Sequence, residues 1–204
     1  NYSLGQAGVA GGAQNDLTVV GGALVLDGTL NVTQTPGSLF DPGVYRLFSY
    51  AGAMADNTLA IGSLPSGYSA TVQTSVANQV NLVTSYNLPL SFWDGAGTPG
   101  NGVINGGSGT WQGPTGNGNW TNAAGTTNGP WATNAYAVFQ GSPGTVTVDA
   151  ATGGPVSVSG MQFAVNGYSV VGGPISMVQT TPGSGATTVR VGDGTAAGAG
   201  YRAT

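Results

Sequence analysis

The chain has 204 residues with 38 Gly and 11 Pro, and no Cys, His, Lys or Glu; seven Asp and three Arg leave a net charge of −4. So little basic charge excludes an electrostatic footprint for nucleic acid or an anionic membrane surface. The run of about 18 apolar residues that a membrane-spanning helix needs is absent, and a disulfide scaffold is excluded.

The missing Glu and Lys are strong helix formers, whereas the abundant Thr, Val and Tyr favour strands. No long apolar stripe at helical spacing escapes interruption by Gly or Pro. The class is therefore all-β. Gly plus Pro approach the level of low-complexity chains, but 40% apolar residues and local alternation argue for order.

Residues 17–33 (LTVVGGALVLDGTLNVT) read as three short strands cut at Gly21-Gly22 and Asp27-Gly28. Such pairs are hairpin signals and equally sharp corners of a coil. Residues 34–42 form a turn region closed by Asp41-Pro42-Gly43. The stretch Gly43–Val83 follows, with strands expected at Val44–Tyr50, Thr58–Ile61, Tyr68–Gln73 and Gln79–Val83. In the first of these, Arg46 and Phe48 are expected on the surface and Tyr45 and Leu47 inside, because a buried unpaired Arg is costly. Each strand is too short to stand alone as a sheet, so strands must stack many times over.

Leu88–Trp93 leads into a change of composition. Between Asp94 and Ala135 there are 12 Gly, seven Asn and three Trp (Trp111, Trp120, Trp131), with Trp93 just before. This is a long projecting loop or a small Trp-pinned subdomain. Alternation returns at Tyr136–Gln140, Thr145–Asp149, Pro155–Gly160 and Met161–Asn166. Ser169–Val171, Ile175–Gln179 and Thr187–Val191 then follow, with turns at Gly172-Gly173-Pro174 and Pro182-Gly183.

One-sided alternation with regular turns fits a sandwich, a barrel or a β-solenoid. Recurrence of strand, Gly/Asn/Asp corner and strand favours the solenoid. Coils of about 20–25 residues would give roughly eight to ten rungs, each rising about 4.8 Å, a rod of about 40–48 Å. The expected division is solenoid coils over 1–93, a Gly/Asn/Trp-rich insertion or subdomain over 94–135, and further coils over 136–204. The abrupt start at NYSLG, with no basic-then-apolar leader, reads as an internal piece.

The sequence GVYRLFSYAGAM…NTLAIG…QVNLV, then SFWDG…GTW…NW…AVFQG…TVTVD…VSVSGMQFAVNGYSVVGG, resembles the passenger region of bacterial type V autotransporters carrying autotransporter-associated β-strand repeats. The resemblance runs from about Leu17 to Val191. It implies a right-handed parallel β-helix on the outside of a Gram-negative outer membrane, or secreted. The only membrane link would be a C-terminal β-barrel, which this sequence does not contain. Many such passengers are adhesins or mediate autoaggregation; others are proteases or esterases with inserted catalytic domains.

The residue inventory speaks against catalysis. Without His or Cys no Ser-His-Asp, Cys-His or His-ligated metal site can be built, and Gly183-Ser184-Gly185 lacks the frame of a nucleophile elbow. Asp pairs remain possible in principle, for example Asp16 with Asp41 one rung apart. Yet most Asp residues stand in turn dipeptides such as Asp27-Gly28, Asp94-Gly95 and Asp193-Gly194. The same Asp-Gly pairs lack the nonapeptide frame of calcium-binding rolls, so no metal and no cofactor are expected.

Two binding ideas stand. Trp93, Trp111, Trp120 and Trp131 make either a mini-core or a sugar-stacking or protein-contact surface. Outward rows such as Thr145, Thr147, Ser157 and Ser159 could zip to an identical rod. The sequence thus reads as a non-catalytic surface adhesin or stalk whose partner is a host protein, a glycan or a second copy. The alternative is a carbohydrate-binding all-β module using the Trp-rich segment.

Overall fold

The computed structural model describes residues 1–86, 89–179, 187–193 and 197–204. The expected corner at Pro182-Gly183 and the Gly183-Ser184-Gly185 triplet lie outside them, as do Leu88 and Gly194. Among the described residues every regular element is a strand except one 3-10 turn, Ala197–Gly200. The all-β class holds. Contacts divide the chain into two compact units, Asn1–Asn87 and Leu88–Thr204, so the two do not meet at either end of the 94–135 segment.

The first unit contains β1 (Tyr2–Leu4), β2 (Thr18–Val20), β3 (Leu24–Leu30), β4 (Val32–Gln34), β5 (Gly43–Tyr50), β6 (Met54–Ile61), β7 (Tyr68–Gln73) and β8 (Gln79–Tyr86). It opens as a set of parallel ladders. Tyr2 pairs with Val32, Thr18 with Phe48 and Leu24 with Met54, so each of three strands meets a partner 30 residues on. A common offset in three separate ladders is what one complete turn of a coil produces. The turn is longer than the 20–25 residues expected.

Asp27-Gly28 does not cut β3. Gly28, at φ 98°, forms a bulge at which the register with β6 shifts. The left-handed conformation is open to glycine at no steric cost. The facing bulge residue on β6 is Thr58, at φ 76°, an uncommon conformation for a β-branched side chain.

The parallel pattern then stops. β8 pairs antiparallel with both β5 and β7. The physical cause is the link of five residues between β7 and β8, because a parallel return needs a dozen or more. Asn78 at φ 64° helps close it.

The expectation for Arg46 is overturned here: Arg46 is 8% exposed, and Val44, Tyr45 and Leu47 are buried beside it. The register slips between Arg46 and Phe48, so Leu47 is an extra residue and simple alternation fails. Phe48 is half-buried and packs on both apolar clusters of the unit, one around Leu30, Tyr45 and Leu82, the other around Leu26 and Val80. Central β5 is covered on both faces, which a one-sided strand pattern does not anticipate.

The second unit contains β9 (Leu90–Trp93), β10 (Gly109–Gln112), β11 (Trp120–Thr121), β12 (Asn128–Gly129), β13 (Tyr136–Phe139), β14 (Thr145–Asp149), β15 (Val156–Val158), β16 (Gly160–Phe163), β17 (Ser169–Gly172), β18 (Ile175–Met177) and β19 (Thr188–Val191). Three parallel ladders run through it: β9-β13-β16-β19, β10-β14-β17 and β15-β18. Tyr136 pairs with Gly160 and Thr145 with Ser169, each 24 residues on. This coil has the expected length.

Val146 and Val148 point into the core while Thr145 and Thr147 are exposed, the period-2 pattern of a half-buried strand. From β9 to β13 the offset is larger, since Leu90 pairs with Tyr136, 46 residues on. The 94–135 segment accounts for the excess. It is not set apart from the coils, because its strand β10 lies in the same ladder as β14 and β17.

Candidate functional site

The four tryptophans are brought together. Trp93 ends β9, Trp111 lies in β10, Trp120 opens β11 and Trp131 follows β12. Antiparallel pairing of β11 with β9 sets Trp120 directly opposite Trp93, with ring centroids 5.2 Å apart at 72°. Trp111 lies 4.8 Å from Trp120 and 4.9 Å from Trp131, both edge to face. Trp120 and Trp131 are 4.5 Å apart at 58°. Tilted and edge-to-face pairs at these distances suit the ring quadrupoles and add to simple burial.

Phe139 in β13 touches Trp93, Trp111 and Trp120, at 5.7–6.3 Å. On its other side it stacks on Phe163 one coil on, at 4.6 Å and 8°. The aromatic cluster is thus the end of a column of core side chains, capped by the 94–135 segment. No tryptophan is more than 2% exposed, so none offers an open ring face to a sugar or a partner protein.

Two indoles are also fixed by hydrogen bonds. Trp93 Nε1 donates to Gly107 O at 2.8 Å, and Trp131 Nε1 donates to Ser157 O at 3.0 Å. The Nε1 groups of Trp111 and Trp120 are buried without a partner among the described residues. Packing alone holds these two rings.

Asparagine explains how a segment with so little regular structure keeps one shape. Asp94 is 6% exposed. Its carboxylate accepts from Asn105 N at 2.7 Å, from Asn105 Nδ2 at 3.1 Å and from Asn128 Nδ2 at 2.8 Å. Asn117 and Asn119 both donate to Thr110 O, and Asn122 Oδ1 accepts from Thr126 N at 3.0 Å. Amide side chains standing in for backbone partners are the usual way irregular chain stays satisfied when buried. Gly106, at φ 71°, sits where a Cβ would strike Gln140 O, Ser142 O and the Tyr168 hydroxyl, so only glycine fits.

The remaining carboxylates are also engaged locally. Asp16 accepts from Ser3 N, Asp27 from Gly28 N, and Asp56 from Thr58 N and Thr74 Oγ1. Asp149 accepts from Ala151 N, Thr152 N and Gln112 Nε2. Hydrogen bonding, chiefly from Thr152, holds its carboxyl below the usual carboxylate range. Burial pushes the Tyr168 hydroxyl well above its ordinary value, and it donates to Gln140 O at 2.7 Å. The importance of Asp94 and of the asparagines was visible in the sequence only as composition; no spacing motif marks them.

A shallow cleft of about 210 Å³ lies over the β11–β12 hairpin, lined by Ser91, Thr121, Asn122, Thr127, Asn128 and Pro130 among others. The outward threonines Thr110 and Thr147 stand in one row, but the next position in that row is Val171.

No family model matches the chain, and no solved structure does. The chain is similar to the Adhesin BmaC autotransporter of Brucella suis biovar 1 (strain 1330), 51% identical over 205 residues that take in all of this chain and 6% of that protein. Over its whole length, then, the chain is related to a stretch of an autotransporter, and the resemblance to autotransporter passengers read from its residues is borne out.

Proposed function

We propose that the chain is a right-handed parallel β-helix segment of a passenger displayed on the surface of a Gram-negative bacterium, serving adhesion without catalysis. The observation that carries this is end-to-end similarity to an autotransporter named as an adhesin, at 51% identity. The parallel ladders with a 24-residue offset in the second unit and a 30-residue offset in the first support the helical part of the reading. The residue inventory supports the rest, since seven Asp and three Arg, without His, Cys, Glu or Lys, leave few groups able to shuttle protons near neutral pH. The carbohydrate-binding alternative has lost its platform, because stacking needs an exposed aromatic face and all four indoles are buried.

The test is display. The 204-residue segment is fused to a carrier β-barrel on a non-adherent Gram-negative host, and bacteria bound to immobilised host-matrix proteins and cultured cells are counted. Binding above that of the carrier alone supports the proposal. Surface display with no gain on any surface overturns the adhesive role, and hydrolysis of a polysaccharide or ester panel overturns the non-catalytic one.

A further inference from the structure

Each unit leaves strand edges unpaired on one side, and the two sets match. In the first unit the outer edge of β1 is already covered by the chain itself. Leu4 bridges Asn15, Asp16 N donates to Ser3 O, and Ser3 N donates to the Asp16 carboxylate. The outer edges of β2 and β3 carry no strand among the described residues.

In the second unit the outer edge of β17 is likewise covered by the chain's last residues. Ala203 bridges Tyr168 in parallel, Thr204 N donates to Tyr168 O, and Val170 N donates to Thr204 O. The outer edges of β18 and β19 carry no strand among the described residues. So in each unit one of three successive strands is closed by the chain and the next two are open.

The open edge of the second unit is apolar where it should be buried. Met177 continues the core row of Val158, Val189 that of Met161, and Val191 that of Phe163. Val158 is fully buried, and Met161 and Phe163 are 8% and 4% exposed; Met177, Val189 and Val191 are 48%, 46% and 42% exposed. Core-facing side chains half open to water, beside unpaired backbone, form a template for added strands. On the other unit, exposed Val19 and Val25 mark the open strands β2 and β3. β2 and β18 are three residues each, and the two open pairs run in the same chain order.

We infer that the open β2–β3 edge of one copy docks in parallel on the open β18–β19 edge of another. The chain then self-associates head to tail, a heterologous contact that grows linearly because both edges remain available at the ends. A net charge of −4 opposes this weakly at physiological salt.

The test is sedimentation velocity of the purified 204-residue chain over a wide range of micromolar concentrations, with two variants. Val189→Lys blocks the second-unit edge and Val19→Lys the first-unit edge, since Lys on an open strand discourages pairing. Circular dichroism and tryptophan fluorescence check that each is folded. If Val189→Lys disturbs the fold, Met177→Lys carries the same arm. The expected results are concentration-dependent oligomers for the unmodified chain, and association weakened about tenfold or more in each variant, or roughly 1.4 kcal/mol. A one-to-one mixture of the two variants should form dimers that grow no further, because one complementary pair of edges survives. A monomer at every concentration, association indifferent to both substitutions, or a mixture no more associated than its components would each overturn the inference.

Discussion

Replacing Trp120 with alanine tests whether the tryptophans are core or contact surface. The ring is 2% exposed and lies against Trp93, Trp111, Trp131 and Phe139. An indole of roughly 200 Å² at about 25 cal/mol per Å² corresponds to about 5 kcal/mol of burial. Measured Trp→Ala and Phe→Ala changes in cores cost about 3–5 kcal/mol. A loss of about 4 kcal/mol is expected, a large share of a stability of about 5–15 kcal/mol.

The assay is urea unfolding followed by tryptophan fluorescence. All four tryptophans lie in the second unit, so the signal reports that unit alone. Trp120→Phe is the companion variant. It leaves a smaller cavity and removes no hydrogen bond, since the Trp120 Nε1 has no partner among the described residues. Trp93→Phe makes a similar cavity but also leaves Gly107 O without its donor, and should cost about 1–3 kcal/mol more than Trp120→Phe. A Trp120→Ala loss below about 1 kcal/mol, at the level of an exposed site, would refute the core assignment.

Other expectations concern the turns. Asp94→Ala should destabilise the second unit by about 2–4 kcal/mol, because the Asn105 and Asn128 donors lose their acceptor in a buried place; chemical denaturation measures it, and an unchanged midpoint contradicts the locking role. Thr58→Asn should raise stability by about 1 kcal/mol, since asparagine tolerates the left-handed conformation that strains a β-branched residue; a fall in thermal midpoint would count against the bulge. Asp149 has a folded-state affinity for protons below the ordinary one, so its contribution is present above about pH 4 and disappears as pH falls through the lower folded value. Asp149→Asn should therefore be less stable than the parent chain near neutrality and indistinguishable from it in strong acid. A deficit that persists in acid would mean the loss is not electrostatic.

Where strands were bounded by turn residues and alternated cleanly, the chain was legible before its structure. Tyr68–Gln73 and Thr145–Asp149 occur with the boundaries expected. Pairing direction was not legible at β7 and β8, because alternation is the same for parallel and antiparallel neighbours. The length of the link decides it. Arg46 was misplaced for a related reason: a bulge at Leu47 and cover on both faces of β5 defeat a period-2 reading. The Trp-rich segment looked like an insertion because Gly and Asn dominate it, yet β10 and Trp111 belong to the ladder of Val148 and Gly172. Composition carries no information about which distant strand such a piece will join. The Asp94–Asn105–Asn128 lock joins residues up to 34 apart, and it too had no local signature.

The parallel ladders at fixed offset are what the account depends on, and inter-strand nuclear Overhauser effects on isotopically labelled protein test them most directly. Antiparallel neighbours bring opposed Hα atoms close together, whereas parallel neighbours do not. The account requires amide and Hα contacts linking Val138 to Gln162 and Gln162 to Arg190 without Hα–Hα contacts between those strands. Hα–Hα contacts should appear between β7 and β8. Strong Hα–Hα contacts along β13, β16 and β19, or contacts linking these strands at another offset, would contradict it.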